Sequence, residues 1–294
     1  MTEPTAAIAL QISAGLCVVA ILTCWLLSVV TQEHSWTDRA WSILPPVYLW
    51  VFALTAMSAG SADPRLVVMA VLGTLWGVRL TLNFARKGGY RPGGEDYRWA
   101  WLRHRMTPRR FAVFNLVFIA GYQNVLLLLI ALPAWTVVRQ PGGFGVAEAV
   151  LTGLFLLCLA GETLADQQQW RFQQARHARV RAGLDDPGFV RTGLFAVSRH
   201  PNYFFEIAQW WLIAGFGALS AGSWLQPGSL GAVLLTLLFV GSIAITERIS
   251  RSRHPAYAAY QRQVWPLLPW FPRRPPRAEP GSEHGTDPVR SGGP

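Results

Sequence analysis

Two stretches of this chain set acids and amides at helical spacing. In GETLADQQQWRFQQ, residues 161–174, Glu162, Asp166, Gln169 and Gln173 follow one another at intervals of four, three and four, which is one face of a helix. In SRHPNYFFEIAQWW, residues 198–211, Asn202, Glu206 and Gln209 repeat the design at intervals of four and three. Six arginines run from Arg171 to Arg199 in the connection between the two faces. Carboxylates and amides suit ribose hydroxyls and a carboxamide, and guanidinium groups suit phosphates through forked, charge-assisted hydrogen bonds. A nucleotide cofactor matches this mixture better than a metal or a sugar. The purely structural alternatives are that Asn202, after Pro201, caps a helix, that Glu206 answers the helix dipole, and that Glu162 or Asp166 pairs with a loop arginine.

Several other chemistries are excluded. There is no Gly-x-Gly-x-x-Gly after a strand and no P-loop, so a nucleotide would have to bind within a helical bundle. Cys17, Cys24 and Cys158 have no paired spacing, and the six histidines form no HxxxH or HExxH, so neither a disulfide framework nor a metal is expected. The net charge of +10 does not indicate nucleic acid, because the arginines sit in particular loops and not on one soluble basic face.

The elements that must carry these residues are membrane helices. The chain is 51% hydrophobic and only 14% charged over 294 residues, too apolar for an ordinary soluble domain. Spanning a bilayer takes roughly 20 apolar residues per helix. Seven runs qualify: residues 8–30, 40–59, 66–84, 111–138, 146–165, 203–219 and 230–246. The fourth is long enough to tilt, or to break at Pro133. The first lacks a basic n-region and exceeds a usual signal-peptide core, so it counts as a span.

Basic residues fall in alternate loops: Arg39, then eight from Arg86 to Arg110, six from Arg171 to Arg199 and eight after Thr246, against only Arg65 and Arg139 in the others. The positive-inside rule then puts the N-terminus outside and the C-terminus in the cytoplasm. The expectation is an all-α integral membrane protein, a single polytopic domain over residues 1–272, with a disordered cytoplasmic tail at 273–294. Its polar stripes would then face the cytoplasm.

The segment TGLFAVSRHPNYFFE, residues 192–206, resembles the signature of the bacterial steroid 5α-reductase-like membrane proteins, related to the steroid 5α-reductases and sterol reductases. Glu162 and Asp166 upstream and the ending PAYAAYQRQVWPLLPWF, residues 255–271, add to the likeness, and SWTDRAWSILP, residues 35–45, extends it more weakly. Residues 146–271 resemble the C-terminal domain of that superfamily.

The resemblance implies NADPH held by the C-terminal helices and loops, and reduction of a carbon–carbon double bond in a membrane-soluble lipid or steroid-like substrate. It implies a bacterial inner membrane as well, with the cofactor site facing the cytoplasm. It implies cofactor roles for Glu162, Asp166, Arg199, His200, Asn202, Tyr203, Glu206, Arg248, Tyr257 and Tyr260. Arg251 and Arg253 compete with Arg248 for the phosphates.

The glutamate before Leu-Pro that serves as donor in the steroid enzymes is Ile43 here, and the third-helix tyrosine falls at Asn83. Hydride addition to an enone needs a donor at the substrate oxygen. Asp38, Asn83 and Tyr122 are the candidates, with Arg79, Tyr90 and Gln123 also in reach of that region. Two other functions compete: an S-adenosylmethionine-dependent methyltransferase of the isoprenylcysteine carboxyl methyltransferase type, and a non-catalytic lipid- or nucleotide-binding membrane protein.

Overall fold

In the computed structural model, which describes residues 2–271, the chain is all helix, and seven helical segments are long and apolar enough to cross a membrane. They are Thr2–Thr31, Trp36–Ser58, Pro64–Arg86, Pro108–Arg139, Val146–Arg181, Pro201–Ala221 and Pro227–Arg253, called spans one to seven below. The seven expected runs all correspond, because a bilayer admits only segments whose backbone groups are satisfied internally. The expected tail at 273–294 lies outside the described residues.

Local sequence explains the breaks. Span two is two helices, Trp36–Trp41 and Leu44–Ser58. Pro45 and Pro46 cannot donate to the preceding turn, so the new helix starts there. Span four begins as helix at Pro108–Phe114, widens into π-helix at Asn115–Tyr122, returns to α at Gln123–Leu129 and breaks before Pro133. Span five runs unbroken to Arg181, well past its apolar part, carrying the Gln-rich face as one rod.

Spans five and six pack on each other most extensively, and spans two and three form a second pair. The two pairs meet where Trp76 and Trp210, both fully buried, cross edge to face with centroids 4.8 Å apart. Small residues permit the closest approaches. A Cβ on Gly231 would strike the backbone of Leu129, and one on Gly77 the carbonyl of Ser42, so spans four and seven, and two and three, touch along their main chains.

One face of the bundle carries the basic loops. The other is closed by a compact latch in which Arg65 pairs with Asp63 at 2.7 Å and donates to the Gln140 carbonyl, while Asp63 accepts from the Gly142 amide. The Asp63 carboxyl is held below its usual range. Burial pushes it up, but hydrogen bonds from Arg65 and Gly142 outweigh that.

Candidate active site

The two polar stripes do meet. Gln209 donates to Glu162 at 2.6 Å across the packed spans five and six. The cation that compensates the acids is not from a loop. Arg79, in the middle of span three, reaches Glu162 at 2.7 Å and Asp166 at 2.5 Å, with Lys87 at 3.8 Å from Asp166. Two buried carboxylates on one guanidinium is the arrangement that makes charge tolerable at this depth. Asn202 does not cap its helix. His200 occupies the cap position without a side-chain bond, and the Asn202 side chain has no hydrogen-bond partner among the described residues. Gln169 Oε1 and Gln209 Oε1 are likewise buried without a partner.

Glu206 shares a hydrogen bond with Glu162 at the edge of this cluster and also lines a cavity of about 530 Å³. Spans two, three, four, six and seven wall it, and the short helix Tyr97–Arg103 closes it on the basic face. Its walls are apolar: Leu80 and Phe84 from span three, Phe114 and Phe118 from span four, Leu237, Leu238 and Phe239 from span seven. Phe114, Phe118 and Tyr122 stack nearly parallel, at 4.9 and 5.3 Å, and make one wall flat. The π-helix brings these rings into line, and such widenings recur at functional sites. Tyr122 spends its hydroxyl on the Leu234 carbonyl at 3.4 Å.

Polar groups enter the cavity at few places. Asp38 and Ser42 come from span two, Tyr203 and Glu206 from span six, Gln123 from span four and Ser242 from span seven. Trp41 Nε1 donates to Glu206 at 3.4 Å and Trp99 Nε1 to Asp38 at 2.7 Å. Asp96 caps the short helix through the Arg98 amide and grips the Arg98 guanidinium with both oxygens, while Arg98 also donates to Ser242. The loop is tied to the start of span two as well: the Asp96 amide donates to Ser35 Oγ at 2.9 Å, and Glu95 receives His34 at 2.9 Å.

Of the three donor candidates, Asp38 and Tyr122 line the cavity and Asn83 does not. Asn83 is buried beside Arg86, from which it accepts at 3.0 Å.

The C-terminal residues divide differently. Arg199 holds Glu247 with two bonds, at 2.6 and 3.1 Å, and donates to the carbonyls of Gln261 and Val264. His200 and Gln261 also reach Glu247. Backbone bonds continue the junction: Arg199 and His200 amides to the Trp265 and Pro266 carbonyls, and the Trp270 amide to the Val197 carbonyl. Tyr260 donates to the Phe195 carbonyl, and both Tyr257 and Tyr260 pack on Phe189. Burial pushes both phenols up. These residues build the site's frame.

Arg248, by contrast, is exposed in a polar cleft of about 600 Å³ with Arg251, Ser252 and Gln261, where a phosphate has access. The Asn202 amide, the unpaired Oε1 atoms of Gln169 and Gln209 and the two exposed arginines are the group types that pair with the carboxamide, hydroxyl and phosphate groups of a dinucleotide. Among the described residues no group of three or more His, Cys, Asp or Glu side chains is arranged to hold a metal.

Spacing alone did not single out Trp41, Asp96, Arg98, Trp99 and Ser242. The available signal was EDYRW, residues 95–99, an acid–aromatic–basic alternation in a loop between glycines and a span.

Fold and cavity together define a multi-pass helical membrane protein with an apolar chamber at bilayer depth and a polar shelf beside it. The profile of the family described as "Protein of unknown function (DUF1295)" matches residues 24–264, and the chain belongs to that family, a steroid 5α-reductase-like one. An uncharacterised protein of Schizosaccharomyces pombe is 36% identical over 258 residues, covering 83% of this chain and 75% of its own length. No solved structure matches.

Proposed function

We propose that this protein is an NADPH-dependent reductase that saturates a carbon–carbon double bond of a lipid or steroid-like molecule lying in the 530 Å³ cavity. The observation that carries the proposal is that Tyr203 and Glu206 of the HPNYFFE helix face this apolar chamber while Asn202, one residue before Tyr203, has a free amide. A nicotinamide lodged at that helix start would meet a lipid entering from the bilayer. When bound, NADPH supplies the hydride; the chain's own residues hold its carboxamide and phosphates, keep water from the apolar walls and orient the acceptor. Arg248 and Arg251 are the phosphate contacts and Glu206, held by Trp41, fixes the nicotinamide end. With the basic loops inside, the cofactor enters from the cytoplasm of a bacterial inner membrane.

Protein purified in detergent should be stabilised against heat by NADPH more than by NADH, since exposed arginines can take the additional phosphate. Mass spectrometry of the untreated preparation should find nucleotide and lipid together. Stabilisation by S-adenosylmethionine with none by NADPH would replace this reading with the methyltransferase.

A further inference from the structure

Three carboxyl groups line the cavity: Asp38, Asp96 and Glu206. Their surroundings are unequal. Asp96 is spent, with both oxygens on the Arg98 guanidinium and one also capping a helix. Glu206 belongs to the shelf of span six, receives Trp41 and shares a hydrogen bond with Glu162 of the Arg79–Glu162–Asp166 cluster. Asp38 has no ion-pair partner among the described residues. Trp99 Nε1 donates to one of its oxygens at 2.7 Å and Ser35 also hydrogen-bonds the carboxyl, which as a whole lines the chamber. Asp38 and Trp41 are three residues apart on one short helix, hence neighbours on one face, with side chains roughly 5 to 6 Å apart at Cβ. Trp41 touches Glu206, so Asp38 sits about one side chain from the proposed hydride donor. The charged and titratable groups around it on the other elements are Cys24 on span one, Asp96 and Arg98 on the loop, and, across the chamber, Tyr122 on span four and Tyr203 and Glu206 on span six.

Resting on the reductase reading above, we infer that Asp38 is the catalytic acid, placed by Trp99 to meet the oxygen of an α,β-unsaturated carbonyl substrate. The step balances without a further reagent. The β-carbon accepts the hydride with its electron pair, the double-bond electrons move toward the carbonyl, and the proton on Asp38 passes to the oxygen as an enol. The resulting carboxylate is held by Trp99 and reprotonated from water on the basic face. The enol then tautomerises to the saturated ketone. Tyr122, whose hydroxyl is committed to Leu234, and Asn83, outside the chamber, are left without this role.

The test uses infrared spectroscopy of full-length protein loaded with NADPH, with a cyclohexenone bearing a decyl chain as probe. A carboxylic-acid band present in the wild type should vanish in Asp38→Asn, move in Trp99→Phe and return in Asp38→Glu. The probe's carbonyl stretch should be lowered in the wild type and revert in Asp38→Asn. Asp38→Asn should keep the thermal shift given by NADPH, which shows it folded, and should slow reduction by at least about 100-fold. A wild type without the acid band or without a displaced carbonyl stretch, or an Asp38→Asn protein that retains either, overturns the role for Asp38 while NADPH still stabilises the protein. No NADPH shift in the wild type overturns the reductase reading itself, and this role with it.

Discussion

The Arg199–Glu247 junction and the chamber around Asp38 are both built from charged and aromatic side chains near the basic face, yet they use them in opposite ways. At the junction every strong donor is consumed: Arg199 serves one carboxylate and two carbonyls, and Glu247 also receives His200 and Gln261. In the chamber the polar groups are few, and Asp38 and Glu206 carry no ion pair among the described residues. Compensated charge there holds the C-terminal segment in place; uncompensated polarity is left over for a ligand. The comparison teaches that buried charge alone does not mark a site, and that what remains unpaired is the better guide.

The largest expected effect comes from making a compensated group uncompensated. Arg79→Leu leaves Glu162 and Asp166 in the bundle without their cation and should cost about 3 to 5 kcal/mol, seen as a large fall in melting temperature in detergent. Adding Glu162→Gln and Asp166→Asn to that variant should restore most of it; if it does not, the cluster is not held by charge balance. Next is Arg199→Lys, which keeps the charge but loses the fork and the two carbonyl bonds. It should cost roughly 2 kcal/mol with NADPH affinity changed only slightly. A selective loss of NADPH affinity at wild-type stability would move Arg199 from the frame to the cofactor.

Gly241→Leu tests the other side of the comparison. A Cβ there meets nothing within 4 Å, and Gly241 lines the chamber. The substitution should fill the cavity and abolish lipid co-purification while stability holds or rises by up to about 1 kcal/mol, from helix propensity. The smallest effect concerns the loop that closes the chamber. Burial pushes the Glu95 carboxyl up, but hydrogen bonds from His34 and the charge of Arg103 hold it below its ordinary value. A carboxyl lowered by folding stabilises above its unfolded pKa, and that contribution is lost as pH falls through the folded one. Melting temperature should therefore decline in acid by an amount that Glu95→Gln removes, worth at most about 1 kcal/mol.

The spans were legible because a bilayer leaves a 20-residue apolar signature that survives any tertiary arrangement. Pro133 announced its break and the spacing of Glu162, Asp166, Asn202 and Glu206 announced their faces. The pairing of Glu162 and Asp166 with Arg79 was not legible, since their partner lies more than 80 residues away in sequence and nothing local encodes it. The frame contacts of Arg199, given a cofactor role by the resemblance, were hidden for the same reason: its partners Glu247, Gln261 and Val264 meet it only after the C-terminal segment folds back. The π-helix left no mark in composition. Hydropathy treats Asn115–Tyr122 as ordinary apolar helix.

That widened turn carries a consequence for how such a chain tolerates insertion and deletion. A π segment is in effect an α-helix with an extra residue accommodated in its turn. Removing one residue between positions 115 and 122 would let the segment relax to α, and each residue's step of roughly 100° would then rotate Tyr122 and Gln123 against Phe114. The helix would still cross the membrane with an unchanged hydropathy profile, but the flat aromatic wall of the chamber would be gone. Relatives of equal hydrophobicity that differ by a single codon here would share a fold and not a ligand.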